Sequence, residues 1–108
     1  MNILFVCSAN KDRSKTAEDY FSEQYSDICF DSAGTNQKLC NQLGTNFISK
    51  DQLDWADKIY VMEQKHYKAI KEIFSQSYSS KIEILNIKDI FKYGSKDLIH
   101  ILEEKVRF

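Results

Sequence analysis

The run Ile3-Leu4-Phe5-Val6 constrains this chain more than any other feature. Its apolar residues follow one another without polar alternation, the pattern of a strand buried on both faces. Such a strand belongs in the middle of a sheet that helices cover on either side. The following segments agree. After the polar stretch 8–14, Ala17, Tyr20, Phe21 and Tyr25 recur with helical spacing and form one apolar face. Residues 28–31 read as a second strand, closed by the turn-like Ser32-Ala33-Gly34-Thr35. Residues 36–46 are polar and read as irregular.

Ser49-Lys50-Asp51-Gln52 matches a capping box, and Ile48 with Leu53 stands where a hydrophobic staple would. A short helix to about Trp55 is predicted there. Residues 58–62 read as a third strand, and Tyr67, Ile70 and Phe74 give the next helical face. A serine-rich loop is expected at 76–80 and a fourth strand within 81–87. Leu98, Ile101, Leu102 and Val106 mark a final helix. Strands alternating with helices predict an α/β fold in three layers. The expected sheet is parallel and four-stranded, in the flavodoxin-like order 2-1-3-4, with helices on both faces and one domain over residues 1–108. Ligands of such sheets bind beyond the carboxyl ends of the strands, here near Cys7.

Composition removes some classes of function. A formal charge of −1 and a pI near 6.1 offer no overall attraction to nucleic acid or anionic lipid. The amino terminus reads as no export signal, and no apolar run is long enough to span a bilayer. The three cysteines, Cys7, Cys29 and Cys40, are odd in number and widely spaced, so free thiols in the cytoplasm are expected. Without a CxxC pair or neighbouring histidines, no zinc site is legible, and no metal or cofactor is expected. Cys29, Trp55, Tyr60 and Phe74 read as core, His66 and His100 as surface or boundary residues, and Cys40 as a spare thiol near the site.

Cys7-Ser8-Ala9-Asn10-Lys11-Asp12-Arg13-Ser14 joins the first strand to the first helix as C-x5-R-S. A helix amino terminus exposes unpaired N–H groups and a partial positive charge. Consecutive loop amides can curl into a nest for an anion such as phosphate. Arg13 adds a planar fork for two oxygens at once. The same surroundings favour the thiolate of Cys7, the form that attacks phosphorus. The Ser14 hydroxyl is placed to donate to that sulfur. As a bland alternative, Cys7 is a small buried hydrophobe and Arg13 an exposed first-turn residue, but a cation there opposes the helix dipole.

At this point the sequence resembles a family. Residues 3–14, with Asp31-Ser32-Ala33-Gly34-Thr35, are similar to the opening of the low-molecular-weight protein tyrosine phosphatases. Asp54-Trp55-Ala56-Asp57-Lys58-Ile59-Tyr60-Val61-Met62-Glu63 is similar to their third-strand segment. The resemblance implies hydrolysis of phosphate monoesters, protein phosphotyrosine foremost, through a phospho-cysteine. It implies Cys7 as nucleophile, Arg13 as phosphate ligand and Ser14 as helper of the leaving sulfur. The loop residues Ser8, Ala9, Asn10, Lys11, Asp12 and Arg13 would bind phosphate, with the Asn10 side chain holding the loop in shape. The family's late D-P-Y-Y-type loop is best matched by Asp89-Ile90-Phe91-Lys92-Tyr93-Gly94. Asp89 is thus the implied general acid, with Asp97 a competitor, and Phe91 and Tyr93 the implied rim.

The departures are specific. Ile90 stands for the proline after the catalytic aspartate, and Lys15 for the usual proline at the helix start. Asp12 stands where relatives carry an apolar residue or a second cysteine. It would repel a dianion and is expected to point outward. The expected partners are a phosphorylated protein or small phosphate ester, with inorganic phosphate or sulfate able to occupy the loop, and the chain is expected as a monomer or weak dimer. Other classes remain: a phosphocarrier that keeps the phospho-cysteine for a partner, an arsenate reductase with a cysteine relay, and a non-catalytic phosphate sensor. The relay needs close-set cysteines after the third strand, and none follows Cys40.

Overall fold

The computed structural model describes residues 1–75 and 77–108. The place of β1 (Asn2–Cys7) accounts for its composition. It pairs parallel with β2 (Cys29–Gly34) on one side and with β3 (Lys58–Val61) on the other, and β4 (Ile82–Ile84) lies beyond β3. The spatial order is β2-β1-β3-β4, as the sequence predicts. Successive side chains of a strand leave opposite faces. Ile3, Phe5 and Cys7 enter one core with Phe21 of α1 (Arg13–Gln24) and Leu98 and Leu102 of α5 (Lys96–Lys105). Leu4 and Val6 enter the other core, with Leu53 of a short helix (Lys50–Trp55) and Ile70 of a longer one (Gln64–Ile73). Both faces of β1 are dry, so its sequence has no polar alternation. Phe5 is fully buried and stacks on Phe21, Phe30 and Tyr60. Deleting such a ring costs about 3–5 kcal/mol.

The structure departs from the sequence reading in several places. The polar stretch after Thr35, predicted to be irregular, contains α2 (Gln37–Leu43). Asn36 caps it by accepting from the Leu39 amide, and Gly44 ends it in the left-handed conformation at φ 69°. This helix buries only Cys40, so no apolar period announced it. The Lys50–Trp55 helix is therefore α3, with the predicted capping box formed, and Gln64–Ile73 is α4. β2 does not close at Asp31: Ala33 and Gly34 pair with Val6 and Cys7, so the supposed turn is strand. Cys29, predicted as core, is exposed at the start of this edge strand. Trp55 also leaves the core. It is the last residue of α3, 37% exposed, because Leu53 and Ala56 fill the space beneath. Tyr25 follows α1 as its carboxyl cap and is exposed. Of the predicted serine-rich loop, Gln76 lies outside the described residues, and Ser79–Lys81 form a single 3-10 turn before β4. Among the described residues no helix is long and apolar enough to cross a membrane.

Candidate active site

The central strand delivers Cys7 to the carboxyl end of the sheet. From there residues 8–12 turn into α1, and their carbonyls are held from outside. The Cys7 and Ser8 carbonyls accept from the amides of Thr35 and Asn36, each at 3.0 Å. The Ala9 carbonyl accepts from the Thr45 hydroxyl at 2.6 Å, and the Asp12 carbonyl from the Thr16 amide at 2.9 Å. Among the described residues no protein group accepts from the amides of residues 8–12. The Cys7, Ser8 and Ala9 oxygens are thus held by the chain that follows β2. Gly34 makes this seat possible: a Cβ there would lie 2.5 Å from the Ser8 carbonyl oxygen and 2.6 Å from the Cys40 sulfur.

Side-chain hydrogen bonds fix the loop from within. Asn10 adopts φ 54°, in the left-handed region that asparagine tolerates. Its Nδ2 donates to Ser14 Oγ at 2.9 Å and to Ser32 Oγ at 2.8 Å, and its Oδ1 accepts from the Asn46 amide at 3.2 Å. Ser32 Oγ accepts from Asn10 and donates to Glu18 Oε1 at 2.6 Å. Ser14 Oγ accepts from Asn10 and lies 3.0 Å from the Cys7 sulfur, toward which it donates once that sulfur is a thiolate. Asn10, Ser14, Ser32 and Cys7 are all buried.

Arg13, at the first turn of α1, is 2% exposed. Its NH1 donates to Glu63 Oε1 and to the Ile87 carbonyl, and its Nε lies 3.7 Å from Asp89 Oδ1. The guanidinium is thereby oriented by groups from the ends of β3 and β4. Burial alone would push the Glu63 carboxyl up, but the hydrogen bond and charge of Arg13 hold it below the usual range. Asn86, at φ 57°, turns the chain so that Ile87 meets Arg13. A hollow of about 170 Å³ results, lined by Cys7, Ser8, Ala9, Lys11, Asp12, Arg13 and Asp89. A larger hollow of about 400 Å³ lies between α1 and the end of the chain, lined by Tyr20, Phe21, Gln24, Tyr25, Glu103, Val106, Arg107 and Phe108. It holds no cysteine, serine or histidine.

One participant escaped the sequence reading. His66, expected at the surface or boundary, is fully buried. Its Nδ1 accepts from the Glu63 amide at 3.0 Å, and its Nε2 lies 2.9 Å from Ser8 Oγ. An amide donor on Nδ1 leaves the imidazole proton on Nε2, so His66 donates to Ser8. Burial, then the charge of Arg13, lowers its pKa to about 4, so the ring is neutral at pH 7. His66 stands on α4, 58 residues beyond Ser8, and nothing local announced the meeting. His100 is exposed. Glu63 was visible only as the end of a family-like segment.

The predicted site residues do not all gather. Cys7, Ser8, Ala9, Lys11, Arg13 and Asp89 line the hollow, with Ser14 and Asn10 behind it. Neither Phe91 nor Tyr93 of the implied rim is among the residues that line the hollow. Phe91 is half-buried against the core of α1 and α5, and the Tyr93 hydroxyl donates to Asp19 on α1. Both rings turn toward α1 because apolar surface and a carboxylate lie there. Asp12 lines the hollow, and its Oδ1 accepts from the Tyr93 amide at 2.9 Å. Asp97 lies in the first turn of α5. Cys40 is fully buried in α2, with its sulfur 3.9 Å from the Ser8 carbonyl oxygen.

No family sequence model matches the chain, and no curated protein matches it in sequence. Solved structures do resemble it. The low molecular weight protein tyrosine phosphatase of T. tengcongensis is 22% identical with a TM-score of 0.66, over 98% of this chain and 99% of that one. The YwlE arginine phosphatase of Geobacillus stearothermophilus is 23% identical with a TM-score of 0.65, over 96% of this chain and 91% of that one. The low molecular weight protein tyrosine phosphatase of Streptococcus pyogenes is 20% identical with a TM-score of 0.66, over 79% of this chain and 71% of that one. These likenesses and the strand order β2-β1-β3-β4 lead to one conclusion: this chain has the fold of the low-molecular-weight protein tyrosine phosphatases.

Proposed function

We propose that the chain, as one domain, is a phosphatase that hydrolyses phosphate monoesters through a phospho-cysteine on Cys7. The observation that carries this reading is the convergence of Cys7, Arg13 and Asp89 on one hollow, with the Ser14 hydroxyl 3.0 Å behind the sulfur. With no protein acceptor among the described residues, the amides of residues 8–12 are left for the equatorial oxygens of phosphate, and Arg13 supplies Nε and NH2. The Cys7 thiolate attacks phosphorus, forming the S–P bond as the ester P–O bond breaks. Asp89, in its acid form, gives its proton to the departing oxygen. The resulting carboxylate then takes a proton from water, whose oxygen attacks phosphorus. The S–P bond breaks, the electron pair returns to sulfur, and the Ser14 proton supports the restored thiolate. The neutral His66 leaves the Ser8 proton free to serve the anion. The unpaired thiols fit a reducing compartment, so the cytoplasm is the proposed location.

Hydrolysis of para-nitrophenyl phosphate tests the reading. Parent activity, its abolition in Cys7→Ser and a strong loss in Asp89→Asn support it. An inactive parent that is stably phosphorylated by a donor protein supports a carrier instead.

The substrate side of the hollow favours a second reading over phosphotyrosine. Among the described residues that line it none is aromatic, while Asp12 and Asp89 supply carboxylates. An aryl group finds no ring to stack on, whereas a guanidinium finds acceptors. The fold is shared with an arginine phosphatase. Phosphoarginine in a protein is therefore the second proposed substrate. Comparing kcat/KM on matched phosphoarginine and phosphotyrosine peptides decides between them.

A further inference from the structure

Asp12 occupies the amino-cap position of α1, where an aspartate ordinarily accepts from the helix's own amides. It makes no such bond. Its carboxylate instead accepts from the Tyr93 amide at 2.9 Å. A capping bond is forgone in a loop where an anion also repels phosphate. Two further contacts hold the same stretch against α1, into which the loop runs: the Gly94 amide donates to Thr16 Oγ1 at 2.9 Å, and the Tyr93 hydroxyl donates to Asp19. At the other end of the acid-bearing segment, the Ile87 amide donates to the Met62 carbonyl at 2.8 Å and the Ile87 carbonyl accepts from Arg13. Asp89 lies between these anchors, 61% exposed, and among the described residues its one ion pair is with Arg13 at 3.7 Å. Its position is set by the ends of its segment rather than by contacts of its own. With Ile90 in place of proline, the backbone there is not stiffened from within.

We propose that Asp12 is a positioning residue that ties the segment carrying Asp89 to the phosphate loop, so that the acid and the nucleophile keep a fixed separation. This explains an aspartate beside an anion site: the side chain is needed as an acceptor, and its charge is incidental. The proposal rests on Asp89 being the general acid, and Asp89→Asn tests that premise separately.

The test compares kcat/KM for phenyl phosphate, which needs a proton donor, with that for 2,4-dinitrophenyl phosphate, which does not. Asp12→Ala should lose about tenfold or more on phenyl phosphate and less than about twofold on the dinitrophenyl ester. Asp12→Asn keeps an acceptor oxygen without the charge. It should change both substrates by the same factor, leaving their ratio at the parent value. In parallel, hydrogen exchange of the Tyr93 amide should speed up in Asp12→Ala and not in Asp12→Asn, against unchanged exchange in the sheet. Equal losses on both esters in Asp12→Ala, with sheet exchange intact, overturn the proposal. So does unchanged Tyr93 exchange. If Asp89→Asn affects both esters alike, the acid assignment fails, and Tyr93 exchange alone then decides whether Asp12 is the tether.

Discussion

The two segments that face each other across the hollow are built in opposite ways. The phosphate loop, residues 8–12, is gripped at several points: the Ser8 and Ala9 carbonyls are held by Asn36 and Thr45, and Asn10 ties it to Ser14, Ser32 and Asn46. The acid segment around Asp89 is exposed and held at its two ends. The contrast matches the chemistry proposed for each. Stabilising charge on a phosphoryl group needs donors that do not reorganise. A proton donor that must also admit water and release product needs a fixed average position with room around it.

The sharpest way to break this comparison is Cys7→Ser, which leaves the grip intact and removes the nucleophile. Turnover of para-nitrophenyl phosphate should fall by about 10⁴-fold or more, with little change in the urea midpoint. Residual activity within tenfold of the parent would move the chemistry elsewhere. Next is Asn10→Ala, which strikes the gripped side. It deletes three hydrogen bonds, two of them buried, and places a residue with no side-chain acceptor at φ 54°. Unfolding by urea should show a loss of about 2–4 kcal/mol, and kcat/KM should fall with it.

A third prediction concerns acid. His66 is buried and neutral, with a folded pKa of about 4 against 6.5 for the free ring. The unfolded chain therefore binds its proton first as pH drops. His66 contributes no penalty above pH 6.5. Stability is lost as pH falls from there toward 4, by up to about 3 kcal/mol. Glu63, lowered by Arg13, adds to the loss once pH drops through the carboxylate range. Urea midpoints at pH 7 and pH 5 should differ less in His66→Gln than in the parent, and an equal difference would show the ring to be solvated. The smallest effect is expected on the exposed side. Tyr93→Phe removes an exposed hydroxyl bond to Asp19 and should cost less than about 1 kcal/mol in the same assay, because the Tyr93 amide is untouched.

The same contrast governs how much the sequence discloses. The gripped loop sits between a dry strand and an amphipathic helix, and local patterns announce both, so strand order and the cluster of Cys7, Arg13 and Ser14 were legible. Asn10 was legible only through family resemblance. His66 was not, because its burial depends on where the start of α4 lands against Ser8, a contact distant in sequence. α2 was hidden because a helix that buries one cysteine leaves no apolar period. Phe91 and Tyr93 were misplaced for a related reason. An aromatic ring near a site and one under a neighbouring helix look alike in sequence, and only the core of α1 and α5 and the carboxylate of Asp19 decide between them.

The depth of the Cys7 sulfur has a last consequence. At 3% exposure, in a hollow that Arg13 also lines, it is out of reach of bulky electrophiles. Small anionic alkylators such as iodoacetate should inactivate the protein faster than their neutral counterparts, reversing the order seen with a free thiol. Added inorganic phosphate should shield it. The exposed Cys29 should show neither selectivity nor shielding, so a single labelling experiment carries its own reference.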